Sequence, residues 1–379
     1  MAWTMKSGRR ILAAVALALS GIANAEILIT QIIPMTGPVA RDGKEASIGA
    51  KVYFDALNAA GGVAKQKVRH VIIDDQYKPD ETIRLMRKAA GDATLAIILP
   101  IGSPSMTKVL KEQILEEVKI PVVGVIPGAE TLRNPGSRYL FHVRAGDKAQ
   151  IDRIVEQALT VGQKRLAVLH VEIPFGKAGL ALVEQSLKQA GLEPVARATV
   201  PMGPAKPADL GYVETVRKTQ PDMVVLISPP GQGADAIKNL RSAGLTVPIT
   251  TLSYVDTGSV CTIAGEENAK GVSMVQVFPN LRNRTIPIVR DFNEHFKRHG
   301  PANAEPNYTN LEGYVTARVL VEGIRRASAT PTRESVLKAL EGMNDVDLGG
   351  FRVNFSPTNR VASGFSEIGI ISKSCQLIF

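Results

Sequence analysis

Several groups in the 379-residue chain have side chains and spacings that could do chemistry, and each also has a plainer role to set against it. His295 and His299 stand i, i+4 in EHFKRH, a spacing that can bring two imidazoles to one metal ion. The segment is not HExxH and no third ligand accompanies it, so a solvated helix face is expected. His70, His142 and His170 lie in or beside apolar runs and are expected to be structural. Asp74 and Asp75 could work as an acid–base pair, or could simply line a cleft or cap a loop. No G-x-S-x-G elbow for a nucleophilic serine occurs. Gly231–Ala236 (GQGADA) follows MVVLIS and satisfies G-x-G-x-x-A, with Asp256 a little over 20 residues further on as a candidate ribose acid. Pro229 and Pro230 stiffen that turn, and short glycine turns are common between strands and helices, so no nucleotide cofactor is expected. Gly102-Ser103-Pro104-Ser105 is different. It sits where a strand gives way to a helix, and open N–H groups beside hydroxyl donors suit a carboxylate there. Plain N-capping by Ser and Pro explains the same residues.

The elements that must position these groups alternate short apolar runs with amphipathic stretches, the pattern of parallel sheets covered by helices. Strands are expected at 26–33, 68–73, 96–99, 122–126 and 140–143, with helices at 44–60 and about 79–90, and another running through GSPSMTKVLKEQILEE. A second series follows with strands at 165–171, 195–200, 223–228 and 248–252, separated by helices at 176–190, 208–219 and 232–243. After 272–278 the chain turns mostly helical, over 285–299, 308–327 and 332–341, and it closes on short strands. No floppy linker, repeat or low-complexity tract interrupts the two series, so two lobes wound into each other are expected.

Composition narrows the function classes. The chain is 45% hydrophobic and 21% charged, an ordinary globular balance, and its length suits two domains. The net charge of +9 is spread without a basic run and aromatics are 5%, so no nucleic-acid partner is expected. Residues 1–25 read as an export signal: a basic MAWTMKSGRR, an apolar Ile11–Leu19, and Ala23-Asn24-Ala25 before Glu26. The apolar run is shorter than the roughly 18–20 residues that span a bilayer. Loss of Lys6, Arg9 and Arg10 with the signal would leave 354 residues and a charge of +6. A soluble periplasmic protein of a Gram-negative bacterium is expected. Cys261 and Cys375 are the only cysteines; that compartment permits a bridge between them, and a buried unpaired Cys261 is equally compatible.

Seven segments in order resemble the periplasmic solute-binding proteins of ABC importers, the leucine/isoleucine/valine-binding type. They are MTGPVARDGKEASIGAKVYFDALNAAGGV, VIIDDQYKPDETI, the turn at Gly102–Ser105, HVEIPFGKAGLALV, NLRSAGLTVPI, SVCTIAGEENAKGV and LEGYVTARVLVEGIRRA. The resemblance implies an α/β fold of two doubly wound parallel-sheet lobes joined by three crossovers. Its expected division is a first lobe from 26–145 and 276–348, and a second from 146–275 and 349–379. It also implies a monomer that closes on one small carboxylate and delivers it to a membrane permease, with no bond made or broken and no metal or cofactor. Presentation of the closed form to a membrane kinase is the alternative.

By position, the resemblance assigns ligand contacts to Ser103 with neighbouring Ser105, to Gly128 in VIPGAET, to Phe175 from the second lobe and to Tyr314 as a closing aromatic. Asp42 stands where the family often has a large residue. Two departures bear on the ligand. Neutral Ser253, beside Tyr254, occupies the place of the acid that pairs with a ligand ammonium, and Pro229 that of an aromatic. An ammonium closed in without a carboxylate is costly. The ligand therefore either lacks an α-amino group, as an aromatic or keto acid does, or Asp42 or Asp256 supplies the acid from another direction.

Overall fold

The computed structural model describes residues 26–203 and 206–379, so the expected export signal at 1–25 lies outside the described residues. The first sheet is built from β1 (Ile27–Ile33), β2 (Val68–Asp74), β3 (Ala96–Ile98), β4 (Val122–Val123) and β5 (Leu140–Phe141), all parallel in the order β2-β1-β3-β4-β5. The second has parallel β6 (Leu166–Val171), β7 (Ala196–Val200), β8 (Met223–Ile227), β9 (Ile249–Thr251) and β10 (Ser273–Gln276). After a small hairpin of β11 (Val346–Asp347) and β12 (Arg352–Val353), it gains antiparallel β13 (Glu367–Ile371) and β14 (Leu377–Ile378), giving the order β14-β13-β10-β9-β8-β6-β7. Continuous apolar runs such as ILITQII and LAVLHV suit these strands because helices cover both faces of each sheet.

Two long helices, Ala40–Ala59 and Tyr308–Arg326, pack the start of the chain against its late return. Glycines set how closely they pack. A Cβ on Gly49 would come within 1.8 Å of the Asn310 carbonyl oxygen, and one on Gly313 within 2.1 Å of that of Ala46. Buried Asn310 stitches the contact by donating to the Glu45 backbone oxygen at 2.9 Å.

Local departures from the sequence expectation have simple causes. The helix expected through GSPSMTKVLKEQILEE is broken into Ser103–Lys111 and Ile114–Val118, because Gln113 takes a left-handed conformation at φ 55°. The helix expected from residue 44 begins at Ala40, which places Asp42 in its first turn. The second lobe's final segment does not begin at 349. Phe351 stacks on Phe278, Phe355 packs edge-on to Phe141, and His142 exchanges backbone hydrogen bonds with Arg360 and Ala362. The chain therefore stays on the first lobe until it enters the second sheet at Glu367. Cys261 and Cys375 form a disulfide that ties helix Thr257–Ala264 to the turn between β13 and β14. No helix of the described residues is long and apolar enough to cross a membrane.

Candidate functional site

Loops leaving the C-terminal ends of strands in both sheets converge on one cleft, the usual ligand position in open α/β sheets. The first lobe contributes Val39 and Asp42 after β1, Tyr77 after β2, Ile101, Gly102 and Ser103 after β3, and Ile126 and Pro127 after β4. The second contributes Ile173 and Phe175 after β6, Pro229 and Pro230 after β8, and Ser253 and Tyr254 after β9. Arg144 enters from the first crossover, and Thr309 and Glu312 from helix Tyr308–Arg326. The cavity between them is partly open to solvent and measures about 100 Å³.

Three contacts span the cleft. Arg41 pairs with Asp256 at 3.1 Å. The Gly128 N–H donates to the Tyr254 hydroxyl at 2.8 Å, and that hydroxyl donates to Asp147 Oδ1 at 2.6 Å. Buried Arg144 reaches Glu312 on one side at 3.3 Å and donates to Ser253 on the other, with its guanidinium 4.5 Å from the centre of the Tyr254 ring. Burial opposes the charge on Arg144, but the negative field of Glu312, Tyr254 and Asp147 more than offsets it and raises its pKa. Burial likewise raises the Tyr254 phenol and the Asp147 carboxyl. Tyr254→Phe would strand both the Gly128 N–H and the Asp147 carboxylate. Thermal denaturation is expected to show a loss of about 2–3 kcal/mol, whereas an unchanged melting curve would mean that the hydroxyl bridges nothing.

Asp42 is the exception to this pairing. Its carboxylate faces the cleft with no hydrogen bond or ion pair to the described residues, and its pKa rises to about 7. Burial is the main cause; Asp256, Glu312 and Glu45 push the same way, and only Arg41 pulls it down. Asp256, the other acid considered for a ligand ammonium, is occupied: it caps helix Thr257–Ala264 through the Ser259 N–H at 2.9 Å and pairs with Arg41.

Of the residues singled out from sequence, Asp42, Ser103, Phe175, Pro229, Ser253 and Tyr254 line the cavity together. Three do not. Ser105 is buried with its hydroxyl 3.2 Å from that of Thr82, away from the cavity. Gly128 lies beside the cavity wall, but its N–H is used by Tyr254 and its carbonyl by the Asp147 N–H. A Cβ there would come within 2.2 Å of Asp147 Oδ1, which accounts for glycine. Tyr314 is a core residue, wedged edge-on to Tyr53 and Phe292 with its hydroxyl at 2.9 Å from His295 Nδ1. Sequence reasoning missed Arg144, Thr309 and Glu312. The only signal for Arg144 was a lone cation directly after an apolar strand, in FHVRAGD.

The remaining motifs have structural roles. Asp74 accepts from the Met35 and Gln76 N–H groups, both at 2.8 Å, and Asp75 from Tyr77 and Thr82. Gly231 lies inside the first turn of helix Pro230–Ser242, not in a loop that could cradle a phosphate. His295 and His299 have ring centres 6.4 Å apart, and no group of three or more His, Cys, Asp or Glu among the described residues could hold a metal ion.

Comparison with known proteins matches residues 26–365 to a family described as periplasmic binding protein. Over 352 residues the chain is 23% identical to the Leu/Ile/Val-binding protein homolog 3 of Brucella melitensis biotype 1, covering 91% of each chain. The crystal structure of an extracellular ligand-binding receptor from Verminephrobacter eiseniae ef01-2 is 32% identical with a TM-score of 0.87, covering 94% of this chain and all of that one. A substrate-binding periplasmic protein from Ralstonia solanacearum is 30% identical with a TM-score of 0.86, covering 93% and 99%.

Proposed function

The chain belongs to the periplasmic binding protein family, of the type that includes the Leu/Ile/Val-binding proteins, and from that premise we propose that it captures one small α-amino acid by closing its lobes and delivers it to a membrane permease. The observation that carries this reading is the unpaired carboxylate of Asp42 in the cleft. With Asp42 ionised, Asp42 and Glu312 against Arg144 leave one uncompensated negative charge in the wall. That field disfavours a simple anion and favours a ligand whose ammonium meets Asp42, which thus stands in for the acid missing at Ser253.

Size and lining support the same class. A cavity of about 100 Å³ suits a small ligand. Ile101, Ile126, Ile173 and Phe175 form apolar wall suited to an aliphatic side chain. Ser103, at the start of helix Ser103–Lys111, offers a hydroxyl and helix N-terminal N–H groups as further donors to a polar part of the ligand.

The test is a thermal-shift panel of amino acids, their 2-oxo acids and their amides. A ligand at 100 times its Kd stabilises by about 2.7 kcal/mol if it binds only the folded state. Aliphatic amino acids are expected to stabilise and their 2-oxo acids to do little. Preferential stabilisation by 2-oxo or aromatic acids would contradict the reading.

A further inference from the structure

We propose that Arg144 is the anion anchor of the cleft, taking the ligand carboxylate on its guanidinium and coupling that contact to lobe closure. The inference rests on the amino-acid reading for the ligand's second charge, but on Arg144's own surroundings for its role.

Arg144 is 2% exposed and forms part of the cavity wall. One terminal nitrogen faces Glu312 and the other donates to Ser253, while Nε–H is buried without an acceptor. A buried donor on a charged group is costly to leave unmatched, and the residue that carries it lines the ligand cavity. A carboxylate bound against Arg144 gives the guanidinium a charge-assisted partner, and its planar fork suits one.

The position of the residue does the rest. Arg144 lies on the crossover between β5 and helix Asp147–Thr160, so it belongs to the hinge. Glu312 holds it from a helix packed on the first lobe, and Ser253 receives it from the loop after β9 in the second. Opening the lobes separates Ser253 from Glu312 and loosens the guanidinium. A carboxylate on Arg144 therefore binds best when the lobes are closed, which makes closure favourable only with ligand aboard.

Arg144→Met alone would strand Glu312 as a buried, unpaired charge and risk misfolding. The test uses the folded double variant Arg144→Met/Glu312→Gln in the full mature chain, with calorimetric titration of L-leucine, L-leucinamide and 4-methyl-2-oxopentanoate. If the thermal-shift panel ranks another amino acid first, that amino acid, its amide and its 2-oxo acid replace them. The double variant is expected to bind leucine at least 100-fold more weakly and leucinamide within about threefold of wild type. The wild-type preference for leucine over leucinamide should then vanish. Loss of both probes by the same factor, or unchanged leucine binding, would overturn the role of Arg144. So would a wild type that takes leucinamide as well as leucine, although Asp42 would keep its ammonium. A wild type that prefers the 2-oxo acid would instead overturn the amino-acid reading. In that case Arg144 is still decided by the 2-oxo acid's loss or retention in the double variant.

Discussion

Asp42→Asn is expected to weaken amino-acid binding by at least 100-fold and, in the same protein without ligand, to raise the melting temperature by several degrees. Both effects follow from one ionisation. The Asp42 carboxyl titrates at about 7 in the folded chain, against 3.8 for a free side chain. A pKa raised by folding contributes stability that is complete below the unfolded value and lost as pH rises through the folded one. Ionised Asp42 thus costs up to about 4 kcal/mol above pH 7. Asn carries no such charge, so the stabilisation by Asn should grow from about pH 4 to pH 7 and stay level above. Calorimetric melting of the two proteins across that range checks it. Asn also offers a ligand ammonium no opposite charge, and the site gives up affinity as it gains stability, a common trade at functional positions. Equal melting curves with unchanged affinity would remove Asp42 from the site.

The second large effect concerns the disulfide. Replacing both Cys261 and Cys375 with Ser should destabilise the second lobe by about 3–5 kcal/mol, since the bridge closes a loop between residues 114 apart in sequence. The bridge fastens a hairpin whose outer strand, β14, is two residues long and could not hold its place by pairing alone. The expected fall in melting temperature is on the order of 10 °C. Wild-type protein in reductant should melt like the double variant, and amino-acid affinity should stay within a few-fold because the bridge lies outside the cleft. A melting temperature indifferent to reductant would show that the bridge carries no stability.

Much of the architecture was legible because parallel strands buried on both faces read as unbroken apolar runs, and the amphipathic stretches between them could only be covering helices. The break at Gln113 was not legible, since nothing in EQILEE marks a left-handed residue. The return to the second lobe was misplaced because Phe351 and Phe355 look alike for either core. At the site, the sequence singles out some of the cavity-lining residues on loops leaving strand ends but not Val39, Tyr77, Ile101, Ile126, Pro127 or Ile173, and none of the lining residues that arrive from a crossover or a distant helix. Arg144 and Glu312 are 168 positions apart, and only the fold pairs them. Ser105 was grouped with Ser103, but two steps along a helix turn a side chain to the opposite face. Tyr314 was read as a cleft aromatic, although its helix turns that side inward against Tyr53 and Phe292.

Proton release on binding tests the central claim most directly, because an ammonium can pair only with deprotonated Asp42. Calorimetric titration of the preferred amino acid in buffers of different ionisation enthalpy should show close to one proton released at pH 6 and almost none at pH 8, with affinity about tenfold weaker at the lower pH. Arg41, Asp256, Glu312 and Glu45, the charged groups around Asp42, set where the change falls. Binding with no proton release at either pH, and equal affinity at both, would contradict the account.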